Sequence, residues 1–207
     1  DELYMRWVQF STFTPLMREH GTTNDGLPWT YSDAAKQNFI DYYNTRDVLI
    51  DHIYSAALAN GNTGVPMSQH MAMAFPDEDA VKGVEDQYMF CDNLLVAPVI
   101  TSGATSRKVT LPSGTWYDLW SSEKVSGGGV ITAEAELDTI PVYVKSGTVT
   151  ALNLSENMSM KEAGDIKTLL ITAPEKDSTS RLFTAADTGY DFALDRISDT
   201  AFALKKD

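Results

Sequence analysis

Apolar positions in the first sixty or so residues recur at helical spacing, whereas later they come as short runs cut by turns. Leu3, Trp7, Val8 and Phe10 form one apolar side of a helix over residues 1–11. Pro15 ends it, because proline biases Thr14 away from helical angles. Leu16 to Gly21 then predicts a short buried strand running into the loop Gly21–Gly26. Ser32-Asp33 is a helix cap, and Phe39, Ile40, Tyr43, Leu49, Ile50, Ile53, Tyr54 and Leu58 carry an apolar stripe up to Asn60-Gly61. One helix from about Asp33 to Asn60 is expected. Pro66–Pro76 alternates as a strand, with Met67, Gln69, Met71, Met73 and Phe75 on one side and His70 on the other. Strand, helix, strand is the order of a βαβ unit and hence of a parallel sheet.

The second half reads differently. Asp77, Glu78, Asp79, Glu85 and Asp86 make an acidic connector. Leu94–Val99 is a continuous apolar run closed by Pro98, which suits a strand buried on both faces. Val109–Leu111, Trp116–Leu119, Val130–Thr132, Ile140–Val144 and Val149–Leu152 follow, separated by Ser-Gly turns and the run Gly127–Gly129. That spacing predicts an antiparallel sandwich. Residues 153–165 are polar and read as a linker. Beyond them, Ile166–Ala173, Arg181–Thr184, Tyr190–Leu194 and Thr200–Leu204 predict further strands of a unit expected to be incomplete.

Composition narrows the functional classes. The 207 residues are 43% hydrophobic, enough for a core, and carry a net charge of −13. So acidic a surface repels a polyanion, which argues against a nucleic-acid partner. Cys91 is the sole cysteine, so an intrachain disulfide and a cysteine-rich metal site are excluded. The acidic connector lacks the spacing of a calcium loop. No metal and no cofactor is expected. No apolar run has the length of a membrane span, and no membrane partner is expected. Asp1-Glu2-Leu3-Tyr4 has neither an initiator methionine nor the form of a signal peptide, so the chain is expected to begin inside a longer protein.

The one candidate ligand-binding residue is His20, where the apolar pattern opens into a Gly/Asn/Asp loop. Side chains on loops held by a rigid scaffold are well placed to meet ligands, although a histidine capping a strand edge fits the same pattern. Arg18 and Glu19 beside it suit a surface ion pair. His52, next to Asp51, falls on the polar side of its helix and is expected at the surface.

Three stretches resemble glycoside hydrolase family 31, the α-glucosidase and α-xylosidase family. They are Glu2–Phe10 with Phe13-Thr-Pro-Leu-Met-Arg-Glu-His-Gly21; Asp86–Phe90 with Asn93-Leu-Leu-Val-Ala-Pro-Val99; and Leu111-Pro-Ser-Gly-Thr-Trp-Tyr-Asp-Leu-Trp120 with Leu137–Gly147. The resemblance implies an α/β plus all-β fold, the C-terminal part of a (β/α)8 barrel followed by an antiparallel β-sandwich. It divides the chain into 1–85 (barrel), 86–154 (proximal sandwich) and 155–207 (start of a distal β-rich domain).

It also implies a parent that hydrolyses terminal α-linked sugars with retention, using two aspartates about 5–5.5 Å apart. The motifs that carry those aspartates in the family do not occur here, so no catalytic residue is assigned to this chain and the missing N-terminal part of the same protein is expected to hold them. By position, His20 matches the family's histidine that hydrogen-bonds a sugar hydroxyl, with Arg18 supporting its loop and an oligosaccharide or glycoside as substrate. Three departures stand out. Glu19-His20-Gly21 replaces Asn-His-Asn, Gln69-His70 stands where Arg-Pro is usual, and Cys91 replaces a glycine. A rival reading is a carbohydrate-binding module stacking sugars on Trp29, Tyr31, Trp116, Tyr117 and Trp120. Another is a catalytically silent family member.

Overall fold

The computed structural model describes residues 1–22, 26–154, 168–183, 189–198 and 201–206. Helix α1 (Glu2–Thr12) matches the expected first helix. A 3-10 turn (Pro28–Thr30) follows, and Ser32 Oγ then caps α2 (Asp33–Val48) by accepting from Ala35 N. The long helix expected over 33–60 is two helices: α2 ends at Leu49 (φ −88°, ψ 0°), and α3 (Ile50–Thr63) starts there and stops at Gly64 in the left-handed region. The break leaves no orphan carbonyl at Val48, whose oxygen accepts from Asn153 N at 2.7 Å.

Among the described residues the expected parallel βαβ unit is not found. Leu16–Gly21 is not a strand and pairs with none among the described residues, and an extended segment with no ladder does not become one. The strand expected over 66–76 is cut to β1 (Ser68–His70), because His70 Nδ1 accepts from Ala72 N and turns Met71–Ala74 into the short helix α4. Gln69 is buried and His70 exposed, as the alternation required.

Every described strand pair is antiparallel. The main sheet contains β1, β2 (Tyr88–Phe90), β3 (Leu94–Val96), β5 (Thr115–Asp118), β6 (Lys124–Ser126) and β8 (Val142–Lys145), in the order β1-β2-β3-β8-β5-β6. β1, on the barrel side of the division expected at residue 85, thus hydrogen-bonds to β2 on the other side. β4 (Ser106–Leu111) pairs with β7 (Gly129–Glu134), and β9 (Val149–Leu152) with β10 (Thr168–Ile171). A distal sheet holds β11 (Ser178–Phe183), β12 (Gly189–Arg196) and β13 (Phe202–Lys206). Residues 155–167, most of the predicted linker, lie outside the described residues.

The period of two explains why Leu94–Val96 is apolar throughout. Phe90, Leu94, Val96, Val142 and Val144 face a core shared with Val8, Phe13, Tyr42 and Ile53 of the helical part. Met89, Leu95 and Tyr143 point the other way, into a core with Val109, Leu111, Trp116 and Ala133 of the sandwich. A third, smaller core joins Val149 and Ala151 to Leu182, Phe192 and Leu194. The short link from β6 to β7 requires glycine at 127, where a Cβ would sit 1.9 Å from the Pro112 carbonyl oxygen.

A run of five carbonyls fastens helices to sandwich. Arg6 donates to Ala135 O (2.8 Å), Glu136 O (2.9 Å) and Thr139 O (2.9 Å), Gln9 to Leu137 O (2.7 Å), and Tyr42 Oη to Asp138 O (2.9 Å). Glu2 adds a tie, accepting from Ser102 Oγ and Gly103 N, and both bonds lower its pKa. The polar face of α1 therefore serves as a docking comb for loop backbone.

Candidate substrate-facing site

The segment that carries His20 leaves α1 at Phe13 (φ −103°, ψ 37°) and runs without regular structure. Its start is held firmly. Arg46, in the last turn of α2, donates Nη1 to Thr12 O (2.8 Å) and Thr14 O (2.7 Å) and Nη2 to Pro15 O (3.0 Å). Tyr88 Oη donates to the intervening carbonyl, Phe13 O, at 2.7 Å. Burial lowers the Arg46 pKa and raises that of Tyr88.

Past Pro15 the chain turns outward. Leu16, Arg18, Glu19 and His20 are exposed and line one side of a cleft of about 1110 Å³, with Tyr4 and Trp7 of α1 also on its wall. Glu19 accepts from Tyr4 Oη at 3.1 Å, and Tyr4 stacks on Tyr31 with ring centroids 4.0 Å apart. Burial, then the charge of Glu19, pushes the Tyr4 hydroxyl pKa up, so it stays a donor. The lining is mostly apolar, with Arg18, Glu19 and His20 among its polar residues. An imidazole there has an N–H to offer a hydroxyl, chemistry that can orient a sugar.

His52 corrects the sequence reading. It is buried: its Nε2 lies 2.8 Å from Asn93 Oδ1, and Asn93 Nδ2 donates to Thr150 Oγ1 at 2.7 Å. Asn93 must therefore accept from His52, placing the ring proton on Nε2. The reason for the burial is that α3 packs against β9 and β11 as well as facing the main sheet, so a side that looks polar in sequence is covered. Phe183 N donates to Ser55 Oγ in the same seam.

The aromatic candidates separate. Trp116 is 1% exposed with Nε1 on Pro112 O, and Trp120 donates to Ile140 O and packs edge-on against Phe13 and Tyr42. Trp29 alone of the five is largely exposed, at 69%. Cys91 is buried, and burial pushes its thiol pKa up, consistent with a small packing residue. Gln69 donates to Asp92 Oδ1, where an arginine would form an ion pair.

Sequence reasoning missed Arg46 and Tyr4. Arg46 follows Tyr42 by four residues and precedes Leu49 by three, so it lies on the buried stripe. A charge in that position signals an interior partner.

Comparison with known proteins agrees with the resemblance. The profile of the glycosyl hydrolases family 31 TIM-barrel domain matches residues 1–56, and that of the glycosyl hydrolase family 31 C-terminal domain matches residues 64–150. An isomaltosyltransferase of Sporosarcina globispora is 37% identical over 166 residues, covering 74% of this chain and 15% of that protein. An alpha-xylosidase of Saccharolobus solfataricus is 36% identical, covering 78% of this chain and 22% of that protein. The structure of a Flavobacterium johnsoniae dextranase complexed with glucose superposes with a TM-score of 0.84 at 26% identity, over 94% of this chain and 26% of that one.

The architecture is thus the end of a (β/α)8 barrel joined to an antiparallel β-sandwich. The chain belongs to glycoside hydrolase family 31, and it spans about a fifth of the length of these relatives.

Proposed function

We propose that this chain is the C-terminal portion of a retaining α-glycoside hydrolase acting on terminal α-linked sugars of an oligosaccharide or glycoside, with the catalytic aspartates elsewhere in the same protein. Residues 1–85 are its barrel end, 86–154 its proximal sandwich and 155–207 the start of a distal β-rich domain. The observation that carries this is the order of the two family matches together with His20 on the lining of the cleft. His20 contributes a hydrogen bond to a sugar hydroxyl, one that strengthens as the ring flattens towards an oxocarbenium-like transition state. It does no proton transfer at the glycosidic oxygen.

The apolar wall of the cleft is the seat of the rest of the barrel. Leu3 (76% exposed), Trp7 (64%) and Leu16 (88%) are too large and too contiguous with it to be ordinary surface. Transfer of the glycosyl group to another sugar instead of water is the second reading, favoured by the isomaltosyltransferase relative. A binding module is disfavoured by the packing roles of Trp116 and Trp120.

The test is an assay of the longer protein on an aryl α-glycoside, following the released sugar by NMR. Retention of the α-anomer with a glycosyl product is expected, and the 207-residue chain alone should show no turnover. Inversion, or no turnover by the longer protein, would overturn the reading, and accumulation of transfer products would select the second one.

A further inference from the structure

The segment bearing His20 has almost no scaffold of its own. It is not a strand, and beyond Pro15 only Met17 packs inward, while Leu16, Arg18, Glu19 and His20 are exposed and Glu19 takes one bond from Tyr4. What fixes its direction is the turn at 12–15, and that turn is built around one side chain. The Arg46 guanidinium collects three carbonyl oxygens from four successive residues, Thr12, Thr14 and Pro15, at 2.7–3.0 Å. Pro15 disfavours helical angles at Thr14 and the helix ends there, so these carbonyls have no helical donor to turn to.

The remaining oxygen, Phe13 O, is taken by Tyr88 from the sandwich. Thr14 Oγ1 completes the turn, lying 2.7 Å from Ser11 O and 2.8 Å from Leu16 O, either of which can take its one proton. A planar fork with donors in fixed directions can serve three acceptors at once, whereas an ammonium on a flexible stem cannot hold the same geometry.

We propose that Arg46 is the positioning residue for His20: it sets the exit direction of the 13–20 segment and so the place where the imidazole meets the sugar. This rests on the reading of His20 as a sugar contact. Arg46 touches no substrate in this account. Its effect passes through backbone, and misplacement of a binding group by about 1 Å is enough to cost on the order of 10²-fold in rate.

A kinetic double-mutant cycle in the longer enzyme tests this, using Arg46→Lys, His20→Ala and the pair. Arg46→Lys should lower kcat/KM by about tenfold or more, mainly through kcat, and its cost should shrink to about twofold or less in the His20→Ala background, because two groups acting as a unit are non-additive. Amide hydrogen exchange should quicken in peptides covering residues 13–20 and stay unchanged across residues 88–99 and 109–145.

Equal cost of Arg46→Lys in both backgrounds would overturn the proposal while leaving His20 as a sugar contact. Loss of protection throughout the chain would also overturn it, by making Arg46 a general element of the fold. If His20→Ala alone leaves kcat/KM unchanged, the sugar-contact reading falls first and this inference with it.

Discussion

The sandwich and the helical front place their large apolar side chains differently. In the sandwich, β3 is fully buried on both faces, with the helices covering one side and β4 and β7 the other. In the front, α1 and the segment after it bury one side against that same sheet and leave Leu3, Trp7 and Leu16 uncovered. The difference shows that the sheet is covered on both faces within this chain while the front keeps large apolar side chains uncovered. Under the function proposed above, the polar groups that meet a sugar sit on the irregular segment of that front.

The comparison is broken most severely at Trp116. Replacing it with alanine empties the sandwich core and removes the bond to Pro112 O, and a loss of about 3–5 kcal/mol is expected. Pulse proteolysis in a urea gradient, run dilute enough to suppress association, reads that loss. Arg6→Met is expected to cost about 2–4 kcal/mol, because it strips the carbonyls of Ala104, Ala135, Glu136 and Thr139 of a buried charged donor. The same measurement should show the front loosening before the sandwich.

His52 gives a pH-dependent test of the seam. Burial, the largest influence, holds its pKa below the ordinary 6.5, so the folded chain takes up this proton later than the unfolded one as pH falls. Stability from this group is complete above about pH 6.5 and is lost below it, at a slope of at most about 1.4 kcal/mol per pH unit. Unfolding of wild type and His52→Gln between pH 5 and 8 checks this; the two should run parallel above pH 7, and below 6.5 wild type should lose stability relative to the variant. On the open face the effects on stability are small. Trp7→Ser with Leu16→Ser should change unfolding by no more than about 0.5 kcal/mol yet reduce self-association of the isolated chain, as light scattering would show.

The second half was readable because period-two alternation, Ser-Gly turns and aromatic density describe a structure whose partners all lie within the same short span. β4, β5, β7, β8 and β9 fall where the runs at 109–111, 116–119, 130–132, 140–144 and 149–152 put them. The front was read less well for the opposite reason. Leu16–Gly21 has strand-like apolar residues but no described strand to pair with, so its propensity is not realised. The apolar stripe ran on through Leu49 and hid the helix break, which Asn153 satisfies from far along the chain. His52 was misplaced because α3 is covered on more than one side, a tertiary fact that a single-faced helix pattern does not contain. His20 was singled out by its loop context and resemblance; Arg46, which holds that loop, went unnoticed although its place on the buried stripe was visible.

The contrast between the two histidines offers the most direct measurement. In the longer enzyme, His20→Ala should lower kcat/KM on an aryl α-glycoside by about 10²-fold with its unfolding midpoint unmoved, whereas His52→Ala should lower the midpoint and leave kcat/KM of the folded fraction near wild type. Unchanged kcat/KM in His20→Ala would contradict the assignment of substrate contact to the open front.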